Sequence, residues 1–452
     1  METTKWMRTT AVATLAMMLI ACGSQDEPKD NDNDEPNGDS TEAVGELLEG
    51  DAERDSDPQV APDLFEQFTA DNRDFAFSLL DQIRQEEGDD ENVFLSPHSI
   101  SLALAMTYVG ARGDTKAQMA DVLRFQLDDD DLHPAFNKLD LALKERSEIE
   151  TDDGDAFELE VVNQTWGQVN FPFAQSFLDT LSLHYGAAMY VVDFVTDYEE
   201  IREAINAWVE EQTNDRIKDL LPDGSLDDYT RKVLVNAIYF YGSWDTTFDE
   251  NRTSDEEFSL LDGSTTQVEL MRHDDPIFVP YFADEDTVAV ALPYVGEEVS
   301  MVAVKPADDE ADFLQWEEDF DRQAFDAVVD GFSPKQGWVH FPKFEDEGDY
   351  SLVDPLEALG MVDAFDDMLS DFGGMLEPEF DEINMTITDI FHKTFVSVDE
   401  EGTEAAAATA VVVGTDSAPM ADFEISFDRP FYYAVYDHPT DTILFLGRMV
   451  AP

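Results

Sequence analysis

The chain has 452 residues, 43% of them hydrophobic, which is ample for a large core and unlike the composition of a disordered protein. Its 103 Asp and Glu against 26 Lys and Arg give a formal net charge of -77, which repels nucleic-acid phosphates and anionic membrane surfaces and excludes nucleic acid as a partner. Only 14 of those acids lie in residues 23–60, so the acidity belongs to the folded body. It fits solubility, or life in a saline medium where counter-ions screen self-repulsion beyond about 8 Å.

At the N-terminus Lys5 and Arg8 precede the apolar run TTAVATLAMMLIA, too short to span a bilayer comfortably. Leu19-Ile20-Ala21-Cys22 then resembles a bacterial lipobox. That resemblance implies a signal peptide over 1–21, lipid attachment to the only cysteine, Cys22, and an outer-membrane or cell-surface location, with the lipid as the only membrane contact. Residues 22–60 are acidic, punctuated by Pro and Gly and free of aromatics, which predicts a disordered tether. Asp30, Asp32 and Asp34 imitate the start of a calcium loop, but Glu35 stands where Gly is needed and Thr41 where Glu is needed, so no metal is expected there.

From residue 61 to 452 no linker or repeat interrupts the pattern, and one large domain is predicted. DLFEQFTADNRDFAFSLLDQI puts Phe68, Phe75, Leu79 and Ile83 on one helical face, and SLALAMTYVG is apolar all round, as a buried helix requires. Strand patterns follow at 157–166, 231–241, 277–305, 337–344, 384–400 and 431–449. The class is α+β, with the helices grouped early and large antiparallel sheets later. No nucleophile elbow, zinc-protease motif or phosphate loop is present, and His273 and His438 read as surface loop residues, so neither an enzyme nor a cofactor is expected.

GTEAAAATAVVVG, residues 402–414, carries two preferences. Its alanines favour a short helix with Thr403 as N-cap, while its alternation favours a strand that is small at its leading end and apolar later.

ENVFLSPHSISLALAMTYVGARGDT, INAWVEEQTNDRI, LVNAIYFYGSWDTTFD, HFPKF, LEALGM, DFGGM, HKTFVSVDEEGTEAAAATA and FDRPFYYAVYDHPTDTILFLGRMVAP occur in that order. Together they resemble the serpin family over residues 62–452. The resemblance implies three β-sheets with a large central one, eight to nine helices and an exposed reactive-centre loop, in a monomer that traps a serine protease, or alternatively a cysteine protease, as a covalent complex. It makes Glu400, Glu401, Gly402, Thr403, Glu404, Ala405, Ala406, Ala407, Ala408 and Thr409 the hinge of a loop that inserts as a strand once cut. Ser96, Ser99, Asn163, Asn236 and His392 resemble the polar cluster that gates the sheet, and Trp244, Lys343 and Glu400 the group at its top, with an expected Lys343–Glu400 ion pair. Spacing from Gly402 places the cleaved bond at Asp416–Ser417, while counting back from Phe427 places it nearer Pro419, and Val413 and Thr415 stay open. No basic cluster suggests a polyanionic activator. The alternatives are a non-inhibitory surface-binding lipoprotein of the same fold and, last, a hydrolase.

Overall fold

Proline at the first turn and Asp63 beside it start the helix Pro62–Glu87, and Gly88 in a positive-φ conformation ends it. Its predicted face is its buried face: Phe68, Phe75, Leu79 and Ile83 are at most 2% exposed. The helix Pro97–Tyr108 begins at the N-cap Ser96, whose hydroxyl accepts from the Ser99 amide, and every one of its residues is buried. The structure is a computed structural model that describes residues 45–403 and 421–452 except 147–149, 152, 153, 156, 381 and 382. The signal segment, Cys22, the tether to residue 44, Glu404 to Thr409, Asp416 and Ser417 lie outside the described residues.

Nine α-helices are present among the described residues, six of them before residue 213. The central sheet has seven strands in the order Glu46–Leu48, Met189–Val192, Phe157–Gln168, Lys232–Ser243, Gly402–Thr403, Phe391–Val398 and Phe344–Ser351. A second, ten-stranded sheet includes Phe431–Asp437 and Thr442–Met449. It joins strands that a three-sheet description counts apart, because Ile277–Ala283 pairs with both Thr287–Pro293 and Ser333–Pro342. The main core lies between the sheets, around the buried helix. Alternation splits the strand Lys232–Ser243: Leu234, Ile238 and Phe240 face that core, whereas Val233, Val235 and Ala237 face a second cluster with Ile201, Ile205 and Val209 of the helix Phe194–Gln212.

Two expectations need correction. The 384–400 strand starts only at Phe391. The tether prediction fails from residue 45 onward: Glu46–Leu48 pairs antiparallel with Met189–Val192, the Asp55 amide donates to the Leu183 carbonyl at 2.9 Å, and Arg54 Nε donates to Asn137 Oδ1 at 2.9 Å. Arg54 also pairs with Asp140. Burial pushes the Asp140 carboxyl up, but Lys144 and Arg54 outweigh that and hold it below its ordinary value. Composition averages over the acidic stretch and misses one strand pairing and one arginine that pin it.

Replacing Arg54 by Ala is expected to cost about 1–3 kcal/mol locally and to raise amide hydrogen exchange at Glu46–Leu48 at least about tenfold. Unchanged exchange there would show that the segment is held without the arginine.

Candidate functional site

The strands Lys232–Ser243 and Phe391–Val398 are neighbours in the middle of the central sheet, paired parallel over Val235–Tyr239 and Phe391–Phe395. Above that they part, and Gly402–Thr403 lies antiparallel between them, Gly402 opposite Ser243 and Thr403 opposite both Gly242 and Val398. The chain reaches this position through a tight turn: Asp399 Oδ1 accepts from the amides of Glu401 and Gly402 at 2.9 and 3.2 Å, and the Asp399 amide donates to the Gly402 carbonyl at 2.9 Å. Position 402 must be glycine, because a Cβ there would stand 2.2 Å from the Gly242 carbonyl oxygen. Thr403 is fully buried, and its hydroxyl bonds to that of Tyr294 at 2.8 Å. Thr403 is therefore a strand residue with its hydroxyl held by Tyr294, and the helix reading of the alanines that follow lies outside the described residues.

Trp244, Lys343 and Glu400 come together around this turn. The amides of Trp244 and Phe248 donate to the carbonyls of Glu401 and Glu400 at 2.9 and 2.8 Å, and Trp244 Nε1 donates to the Asp399 carbonyl at 2.9 Å. The Trp244 ring stacks on Tyr294 with centroids 4.7 Å apart. Lys343 Nζ donates to Glu400 Oε2 at 2.9 Å, and Thr253 Oγ1 donates to Oε1 at 2.6 Å. Burial works to raise the Glu400 carboxyl, but these two bonds outweigh it and hold it below its usual value. His273 is not a surface residue: it is 3% exposed, stacks on Phe248 at 4.0 Å and hydrogen-bonds the Thr247 carbonyl. Burial lowers its pKa to about 4.

Lower in the same seam, Ser96, Ser99, Asn236 and His392 form one chain of hydrogen bonds, all fully buried. The Ser96 amide donates to His392 Nε2 at 3.0 Å, which leaves the ring proton on Nδ1, and Nδ1 donates to Asn236 Oδ1 at 2.6 Å. Asn236 Nδ2 in turn donates to Ser99 Oγ at 2.5 Å. Burial lowers the His392 pKa to about 3, so the ring is neutral. Asn163 lies opposite Asn236 in the backbone register of the adjoining strand. Beyond residue 420 the chain is anchored on the other sheet, where Phe423–Ser426 runs parallel to Ser333–Pro342. Tyr294, Thr253 and Asp399 were not singled out from sequence. Only Asp399, a turn-forming residue just before Glu-Glu-Gly, carried a local signal.

Replacing His392 by Ala leaves a buried amide and a buried amide oxygen without partners, and is expected to lower the stability of the uncut chain by about 2–4 kcal/mol. Denaturant unfolding checks this. The pH dependence has a fixed sign. Because the folded pKa lies below the ordinary 6.5, the unfolded chain binds more protons between pH 6.5 and about 3, so stability falls as pH drops through that window. The slope should be shallower in the variant; an unchanged slope would assign the acid sensitivity to other histidines.

A family model described as serpin (serine protease inhibitor) matches residues 70–452. A serpin-like protein of Thermococcus kodakarensis is 38% identical over 381 residues, covering 84% of each chain. The leukocyte elastase inhibitor of Xenopus laevis is 35% identical over 381 residues, covering 84% of this chain and 97% of that protein. The thermophilic serpin tengpin in its native state superposes with a TM-score of 0.75 at 27% identity, over 89% of this chain and 97% of that one. Uncleaved ovalbumin gives 0.73 at 25% identity, over 85% and 100%. Fold, motifs and relatives agree over nearly the same residues: the chain belongs to the serpin family.

Proposed function

We propose that the protein inhibits serine proteases as a suicide substrate. The observation that carries this reading is the position of Gly402 and Thr403, already paired between two strands whose own pairing below is short and parallel. Continuing the same register six residues brings Thr409 opposite Asn236 on one side and His392 on the other, where those side chains now bond to each other. The backbone groups of an incoming strand would then find partners in the two neighbours, alternate residues bonding to opposite sides. About ten inserted residues at ~1 kcal/mol per net hydrogen bond supply on the order of 10 kcal/mol or more.

The chemistry belongs to the target. Its serine oxygen attacks the carbonyl of Asp416, the bond to Ser417 breaks with a proton passing to the departing amine, and an ester joins the enzyme to Asp416. Insertion then drags and distorts the enzyme before water can cleave the ester, which requires the uncut form to be kinetically trapped. No proline lies between Glu400 and Ala418 and no charge between Glu404 and Asp416, so the segment is fit to enter a central strand position. An acidic residue at the cut suits a protease with a basic pocket. Lipid attachment at Cys22 would hold the inhibitor at the cell envelope.

Incubating the full chain with a panel of serine and cysteine proteases is expected to give an SDS-stable band at the summed mass with a serine protease, and a released fragment beginning at Ser417. Cleavage without such a band would identify a substrate or a non-inhibitory member. Ala407→Pro removes a ladder donor in mid-strand, and at least about a tenfold loss of complex in favour of cleaved product is expected. Equal complex yield would refute insertion. Cys22→Ala should move the protein from the membrane to the soluble fraction; retention on the membrane would argue against the lipid.

A further inference from the structure

Lys232 is the first residue of the strand Lys232–Ser243, below the point where pairing with Phe391–Val398 begins at Val235. In a chain with 103 acids, no described carboxylate comes within 4 Å of its ammonium. Its one hydrogen bond among the described residues goes to Thr107 Oγ1 at 3.0 Å, in the last turn of a buried helix, and the ring of Phe177 lies 5.8 Å away. An ammonium donates three hydrogens, so two are left without a described protein partner. Beside it, a cavity of about 30 Å³ is walled by Leu234, Met375, Met385 and Ile387 and opens outward. Asp389 also borders the cavity, but its Oδ1 accepts from Ser351 Oγ and the Ile390 amide.

A part-buried cation facing apolar walls, with room for a few heavy atoms, has the donor set and shape of an anion site. We propose that this cavity binds a short-chain monocarboxylate, its carboxylate on Lys232 and Thr107 and its alkyl tail along Met375, Met385 and Ile387. The carboxylate would supply the charge-assisted bonds that the ammonium lacks, and the tail would cover apolar surface that an inorganic ion leaves wet. Burial already lowers the ammonium to about pH 7, so binding at pH 7.5 must draw a proton from solution. The cavity lies at the lower end of the seam, so an occupant would also slow strand insertion; that consequence rests on the proposed inhibitory function, whereas binding does not.

The test uses the intact, uncut full chain and sodium propionate, compared with sodium chloride at equal sodium concentration. Propionate is expected to raise the melting temperature by about 2–4 °C over chloride, with proton uptake at pH 7.5 detected by a pH indicator in weak buffer. Lys232→Met keeps the length and apolar stem of the side chain, and should abolish both the shift and the uptake. Equal shifts with propionate and chloride, a shift that survives in the Met variant, or no proton uptake by the unaltered chain would each overturn the site. None of these readouts involves a protease, so a failure of inhibition and a failure of binding are told apart.

Discussion

The structure turns on a short parallel pairing in the middle of the central sheet. Five residue pairs join Lys232–Ser243 to Phe391–Val398, flanked by an eleven-pair antiparallel ladder on one side and an eight-pair one on the other. Parallel pairing is slightly weaker per residue than antiparallel, so this joint is weaker than either of the two ladders that flank it. His392 and Asn236 form one of those five pairs, and the hydrogen-bond chain that crosses the joint runs through their side chains. These bonds between neutral buried groups hold the two strands together at that pair, and each polar atom in that chain finds its partner across the joint or on the buried helix behind it.

Stability is distributed accordingly. The flanking strands share a core of aromatic and aliphatic side chains with the buried helix Pro97–Tyr108. The helix Phe194–Gln212 covers the opposite face along Val233, Val235 and Ala237, so it sits over the lower part of the joint. At the upper end Glu400 and Glu401 are held by backbone bonds from Phe248 and Trp244, and Thr403 by Tyr294.

Much of this was legible in the sequence. The amphipathic face of Pro62–Glu87 and the uniformly apolar Pro97–Tyr108 follow from periodicity alone. The polar residues along the joint did not follow from local pattern, since Ser96, Asn236 and His392 lie far apart in the chain and acquire their bonds only through strand register; family resemblance located them. Residues 402 and 403 show the limit of propensity most clearly: neighbouring alanines argue for helix, but the Asp399 turn and the space beside Gly242 put both in a strand. Phe344–Ser351 was reached only at its first residue because its outward positions are Glu345, Glu347, Asp349 and Ser351, while Asp346 is buried and accepts from Tyr433 at 2.8 Å. His273 was misplaced because an adjacent Asp274 suggests exposure, whereas the ring stacks inward on Phe248.

The strand Glu46–Leu48 has a further consequence. Unpaired sheet margins recruit strands from other molecules, and a seven-stranded open sheet is exposed to that hazard. Here one margin is capped by the chain's own Glu46–Leu48, and the other is formed by a strand whose outward side chains are mostly carboxylates. The sheet therefore ends on one side in a strand of only three residues and on the other in a strand edged with negative charge, and both features leave a passing strand little to pair with.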